Sequence, residues 1–377
     1  MDLKKALKAI KDTPLNHAER ELFVDREQEV VALQTAVSIY SGEVIGLCGE
    51  RGIGKTTLLN MVSFSGKEKI IVNVIDRETK VGIISDIIYA VYAYGKKKRD
   101  KEVEKRAFRA FEILTKSISK KAELGLSYLL TAKIEMEKKD ILIKGSALLK
   151  EIIELLPNVV FVLDEIDKEK KEELILIIDA IKDAFRGNEA TLVVTLPYTI
   201  YEEYLLSKET EKETFNLENV FSEVLLLHPL SPDAIRELIA RRFDTTLIDE
   251  DALELIVEYA RGNPRRAIST LKESGLYAVL KGNKRITYKD VEGVVRKYIK
   301  VYISSVLDEK GIKALRFVEE GKRAEVVKKL RNGLQTTLSS SYRYLTDLEK
   351  AGFLKVKDGY VYLSPLTKLV KKVFRNF

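Results

Sequence analysis

Cysteine is almost missing from this chain, with one residue, Cys48, among 377. A lone thiol excludes a disulfide framework. Histidine is nearly as scarce: His17 and His228 are the two present, too few to build a His/Cys metal cluster. No run of about 18 apolar residues occurs, and the opening MDLKKALKAIKDT has no apolar signal core. A soluble, cytoplasmic protein with no membrane partner is the expectation. The chain is 45% hydrophobic and 33% charged, which allows sizeable cores and argues against global disorder. Its length suggests two or three domains.

The formal charge is +7, and it is unevenly placed. Residues 301–377 hold 16 Lys/Arg against 8 Asp/Glu, a net +8 that leaves the remaining 300 residues near neutral. A basic end on a neutral body points to a polyanionic partner. A lysine-rich solubilising surface is the alternative.

The chemistry starts at the apolar strand Val44–Cys48. It is followed by Gly49-Glu50-Arg51-Gly52-Ile53-Gly54-Lys55-Thr56, a full match to G-x-x-x-x-G-K-[ST]. Gly49, Gly52 and Gly54 let the backbone turn so that successive N–H groups face phosphates, and the helix that begins at Lys55 adds its N-terminal dipole. Lys55 is the expected ligand of the β- and γ-phosphates of ATP. The Thr56 hydroxyl is expected on Mg2+, with Thr57 beside it in the nucleotide site.

A second apolar strand, Val159–Leu163, is followed by Asp164 and Glu165. Asp164 falls where parallel sheets place their ligands and is a candidate for the magnesium shell; Glu165 is the candidate base for the attacking water. A third strand, ATLVVTLP, carries Thr195 near its end, positioned to bridge the γ-phosphate side to that water. Lys69–Asp76 reads as a further strand, and the alternation of strands and helices predicts a parallel sheet flanked by helices. Gly262-Asn263-Pro264 ends one helix and starts another, leaving Arg265 and Arg266 in a first turn that disfavours cations. Phosphate compensation and ordinary surface arginines both remain open.

In this order the motifs resemble the AAA+ ATPases, and in particular the archaeal branch of Orc1/Cdc6-type initiators and related archaeal ATPases. The likeness rests on GERGIGKTT, VVFVLDEID and GNPRRA, with LFVDREQEVVAL ahead of the first strand. It implies an α/β P-loop core over residues 18–230 after a 1–17 extension, a helical lid over 231–300 and a C-terminal winged-helix domain over 305–377. It further implies Phe23, Val24 and Arg26 near the adenine, Thr195 as sensor 1 where these initiators more often carry Asn, and Arg265 as the lid's sensor 2. No arginine lies between Pro197 and Asp233 to serve as a finger, and Lys208 and Lys212 are weak substitutes because they lack a planar fork. A nucleotide-controlled switch, monomeric or homo-oligomeric, is therefore expected rather than assembly-driven hydrolysis. Residues 96–150 form a charged insertion, read as a helix with a wet face and then strands or a hairpin over ELGLSYLLTAKIEMEKKD. It is either a partner-facing element or an elaborated surface.

The basic end reads helix–helix–helix–hairpin. Leu338, Tyr342, Leu345 and Leu348 recur at helical spacing in the third helix, and Tyr342, Leu345 and Leu348 are expected in the core. Asp358-Gly359 is a good hairpin turn between FLKVK and YVYLSP. In a winged helix the third helix enters the major groove of double-stranded DNA. Candidate DNA contacts are Ser339, Ser340, Ser341 and Arg343 on that helix, Lys355 and Lys357 on the wing, and Lys322, Arg323, Lys328, Lys329 and Arg331 toward the backbone. The expected function is ATP-dependent DNA binding, with ATP binding and hydrolysis switching duplex engagement in replication initiation. The alternatives are a signalling or defence ATPase whose winged helix binds protein, and a helper ATPase of a mobile element or plasmid.

Overall fold

The computed structural model describes residues 2–74, 80–124, 143–164, 166, 171–209 and 217–374. The chain divides into two units: Pro14–His228, and Met1–Thr13 together with Pro229–Phe377.

The first unit is built on five parallel strands: β1 (Val44–Cys48), β2 (Glu68–Asn73), β3 (Val159–Asp164), β4 (Thr191–Leu196) and β5 (Glu223–Leu226). Their spatial order is β2-β3-β4-β1-β5. The near-continuous apolar runs of β1, β3 and β4 follow from burial on both faces, and alternation deals their side chains to two separate cores. On one face Ile45, Leu47, Val160, Val162 and Val193 pack with Leu33 of the helix Glu27–Ile39 and with Leu58 and Leu59 of the helix Lys55–Met61. On the other, Cys48, Phe161, Leu163, Leu192 and Val194 meet a larger cluster. There Phe161 and Phe185 pack edge-on with ring centroids 5.5 Å apart.

That larger cluster takes in Val103, Ala107, Ala110, Leu114 and Leu149 of the charged insertion. Its helix starts well before residue 96: Lys80–Lys98 is one element, and Lys96, Lys97 and Lys98 form a basic last turn that complements the helix dipole. Asp100 accepts from the N–H groups of Glu102 and Val103 and starts a second helix, Lys101–Leu124. Val103, Ala107, Ala110 and Leu114 recur at helical spacing and bury one face of it against Ile83, Ile84, Ile87 and Val91. The hairpin expected over ELGLSYLLTAKIEMEKKD lies almost wholly outside the described residues. Residues 143–153 are again helical. The strand expected to reach Asp76 is described to Asn73.

In the second unit the helices Pro232–Ala240, Glu250–Ala260, Pro264–Leu280 and Tyr288–Val306 start at capping residues. Ser231 and Asn263 each accept a backbone N–H, from Ala234 and Arg266, ahead of a proline at the first helical position. The N-terminal helix Leu3–Ala9 lies against Pro264–Leu280, where Gly275 admits Leu7; a Cβ at Gly275 would meet the Leu7 side chain at 2.3 Å.

The same unit ends with the helices Glu309–Phe317, Arg323–Leu334 and Leu338–Lys350, a hairpin of β7 (Leu354–Lys357) and β8 (Tyr360–Leu363), and the helix Pro365–Val373. A short β6 (Gly321–Lys322) adds to β8, giving the order β6-β8-β7. Asp358 and Gly359 both take positive φ, 52° and 74°, as a two-residue turn between twisted strands demands.

The phase of the helix Leu338–Lys350 departs from the expectation. Leu338 and Tyr342 are exposed, whereas Ser341, Tyr344, Leu345 and Leu348 are buried. The buried set is a complete i, i+3, i+4, i+7 face; its first member is a serine, so counting apolar residues alone rotates the stripe.

Candidate nucleotide site and basic C-terminal face

The phosphate-loop residues form a loop between β1 and the helix Lys55–Met61. Gly52 and Gly54 adopt φ of 82° and 108°, conformations that a side chain would strain. Lys55 is almost fully buried, and its ammonium donates to the carbonyls of Gly49 at 2.8 Å and Glu50 at 3.3 Å, the concave side of its own loop. Thr56 is half-buried in the first turn of the helix. Thr57, expected at the nucleotide, instead accepts the Leu15 N–H through Oγ1 at 3.4 Å, while Asn60 donates to the Leu15 carbonyl at 3.0 Å. These two bonds fasten the incoming chain to the flank of the helix.

Strand order brings the remaining residues together. Thr195 of β4 pairs with Leu47 of β1, and Leu163 of β3 pairs with Val194. Asp164, Thr195 and Leu47 are therefore level across three neighbouring strands. By alternation Asp164 shares a face with Val162 and Thr195 with Val193, the face that the helix Lys55–Met61 covers. Asp164 is half-buried. Thr195 is fully buried, and its Oγ1 has no hydrogen-bond partner. A buried hydroxyl left unpaired costs about 1–3 kcal/mol. Glu165 lies outside the described residues, as does Lys212; of Lys208 the backbone alone is described.

Arg26 was expected beside the adenine. The structure gives its buried guanidinium three protein partners: Ile53 O in the phosphate loop at 3.1 Å, His228 O at 2.7 Å and Glu29 at 2.6 Å. Phe23 packs half-buried against the cluster that holds Ile53 and Leu58, and Val24 is buried. Cys48 is enclosed beneath the loop, and burial pushes its thiol up to about 12, leaving it unreactive.

Lys69 of β2 was not foreseen in any role. Its ammonium donates to the carbonyls of Leu59, Asn60 and Val62, the unsatisfied C-terminal end of the helix Lys55–Met61. Burial holds its pKa below the usual lysine range. Replacing Lys69 by Met relieves that burial but strands three carbonyls, and the second effect should win. Chemical denaturation should show a loss of about 1–2 kcal/mol; unchanged stability would mean that water caps the helix equally well.

In the second unit Arg266 is compensated locally. It lies 5.9 Å from the Tyr259 ring centroid and donates to Ala260 O at 3.4 Å. Arg265, in the same turn, is exposed.

On the C-terminal elements Ser339 and Arg343 are exposed and Ser340 half-exposed, but Ser341 is buried and donates to Thr337 O at 2.9 Å. Ser341 therefore belongs to the helix's packed face. Arg323 stacks over Tyr342 at 5.1 Å, and Lys329 is paired with Glu319. Lys322, Lys328, Arg331, Lys355 and Lys357 are exposed. Two residues the sequence reading passed over, Tyr360 and Tyr362, are exposed among them.

Among the described residues no helix is long and apolar enough to cross a membrane, and no three His, Cys, Asp or Glu group as a metal cluster. Magnesium needs less, since one or two protein oxygens suffice when phosphates and water complete its shell.

No protein-family model matches the chain, and no curated protein does. Among solved structures, a Walker-type ATPase of Pyrococcus abyssi is similar over 97% of this chain and 99% of its own, with 17% identity and a TM-score of 0.53. The RuvB Holliday junction branch migration motor of Thermotoga maritima covers 97% and 98% with 17% identity and a TM-score of 0.43. A Drosophila ORC structure bound to DNA covers 100% and 92% with 14% identity and a TM-score of 0.43. The first likeness shows the fold, an α/β P-loop core with a parallel sheet.

Proposed function

We propose that this protein is a magnesium-dependent ATPase of AAA+ type, cytoplasmic, that engages duplex DNA through a C-terminal winged helix under nucleotide control, in the replication setting to which its sequence resemblance points. One observation carries the ATPase reading: the phosphate loop, Asp164 and the unpartnered Thr195 hydroxyl meet on one sheet face at the ends of three adjacent strands. Bound magnesium supplies charge compensation for the phosphates. Lys55 exchanges its two loop carbonyls for phosphate oxygens. Thr56 and Asp164 would hold the metal. Thr195 orients the attacking water, and Glu165 is assigned its proton.

The DNA reading is supported by the net +8 of residues 301–377 and by the exposed cations on the helices and hairpin there. It is tested by equilibrium binding to labelled random duplex, titrated in salt with ATP, ADP and no nucleotide. A steep salt slope, near one unit per phosphate contact, is expected together with tighter binding in ATP than in ADP. Equal affinity in both nucleotides would sink the switch. Absence of binding at low salt would reassign the basic domain to a protein partner.

A further inference from the structure

We infer that the outward face of the β6-β8-β7 sheet is a stacking platform for an unpaired DNA strand. The inference rests on the reading of the basic C-terminal region as a nucleic-acid binder and names what this part of it takes. Alternation turns Leu354 and Val361 into the core and leaves Lys355, Lys357, Tyr360 and Tyr362 pointing the other way. The pairing register then interleaves them. Lys355 lies opposite Tyr362, Lys357 opposite Tyr360, and Lys322 of β6 opposite Tyr360 on its other side. Each tyrosine thus has a lysine beside it across the ladder, and the upper row reads lysine, tyrosine, lysine.

The two rings are 39% and 48% exposed, with centroids 5.0 Å apart. Large aromatic side chains on an exposed sheet face lose hydrophobic stabilisation unless something covers them. Three cations around them select a polyanion as the cover. Carboxylates near this sheet are Asp358 at the turn, Glu349, which accepts the Val356 N–H, Glu325 beside Gly321, and Glu320, which is occupied by Lys368 and the Leu363 N–H; the tyrosines' own partners across the ladder are lysines. Among polyanions a duplex presents phosphates but keeps its base faces stacked inside. An unpaired strand offers both, phosphates to the lysines and free base faces to the rings.

The test compares a labelled oligothymidylate with a labelled duplex of equal length, by fluorescence anisotropy on the full chain at low salt. Tyr360→Ala and Tyr362→Ala should each weaken single-strand binding about tenfold and leave duplex binding within about twofold. Tyr360→Phe and Tyr362→Phe should restore it, because the ring and not the hydroxyl stacks. Lys355→Ala should flatten the single-strand salt slope by about 0.7. Both tyrosines are exposed, so thermal melts of the alanine variants should match the parent. Duplex binding without single-strand binding, or alanine variants that bind the single strand normally, overturns this inference alone. Failure to bind either DNA by a normally folded chain overturns it together with the DNA reading, and leaves the face to a protein.

Discussion

Lys55→Ala is expected to lower magnesium-dependent ATP turnover by about 10²–10³-fold, the usual cost of deleting one preorganised electrostatic donor. The ammonium is held by Gly49 O and Glu50 O inside the loop, so it is already desolvated and aimed before any phosphate arrives. Its interaction with developing negative charge is strengthened by the low local dielectric. The fold should survive, since alanine is a better helix former than lysine in the turn that begins at this position. Lys55→Arg keeps the charge but replaces a compact point donor with a planar fork, and turnover should remain well below the parent's. Steady-state phosphate release and a nucleotide-binding titration separate the effects. Turnover of Lys55→Ala within threefold of the parent would remove this residue, and the loop, from the reaction.

Thr195→Val should move stability and activity in opposite directions. The hydroxyl is fully buried without a hydrogen-bond partner, in a strand flanked by β1 and β3. Valine has nearly the same shape and no polar atom to bury. The nucleotide-free protein should gain about 1 kcal/mol, read as a higher denaturation midpoint at unchanged slope. Hydrolysis should fall about 10–100-fold if, as proposed, this hydroxyl orients the water. Thr195→Ser keeps the hydroxyl and should retain most turnover. A valine variant that is destabilised would show that the hydroxyl is satisfied in solution; one that hydrolyses ATP normally would assign it no part in the chemistry. The unpaired hydroxyl lies level with Asp164 in a packed strand, and these two measurements separate its cost to the fold from its part in the chemistry.

Much of this was legible along the chain. Glycines followed by Lys-Thr specify a phosphate loop locally, because backbone freedom and helix N-terminal polarity are properties of a few consecutive residues. The apolar runs of β1, β3 and β4 mark strands buried on both faces, and Asp-Gly marks the hairpin turn, again from local chemistry alone. Local pattern fails where phase has to be read from sparse signals: Ser341 takes a core position that its polarity conceals, so Tyr342 reads as inward and is outward.

Residue chemistry along the chain specifies the P-loop, its lysine and threonine, the strand-ending aspartate and the basic character of the last 77 residues. Packing in three dimensions puts β4 between β1 and β3, and so Thr195 level with Asp164. It also decided that Arg26 fastens the loop to His228, that Lys69 caps the helix from a neighbouring strand, and that lysines and tyrosines interleave across the small sheet. The first two join residues across long separations, and the pairing of Lys322 with Tyr360 spans 38 residues. Loop closure costs rise only logarithmically with the intervening length, so sequence spacing carries almost no information about which strand becomes whose neighbour. Competition among whole buried surfaces settles that choice, and it settles at once where the site is.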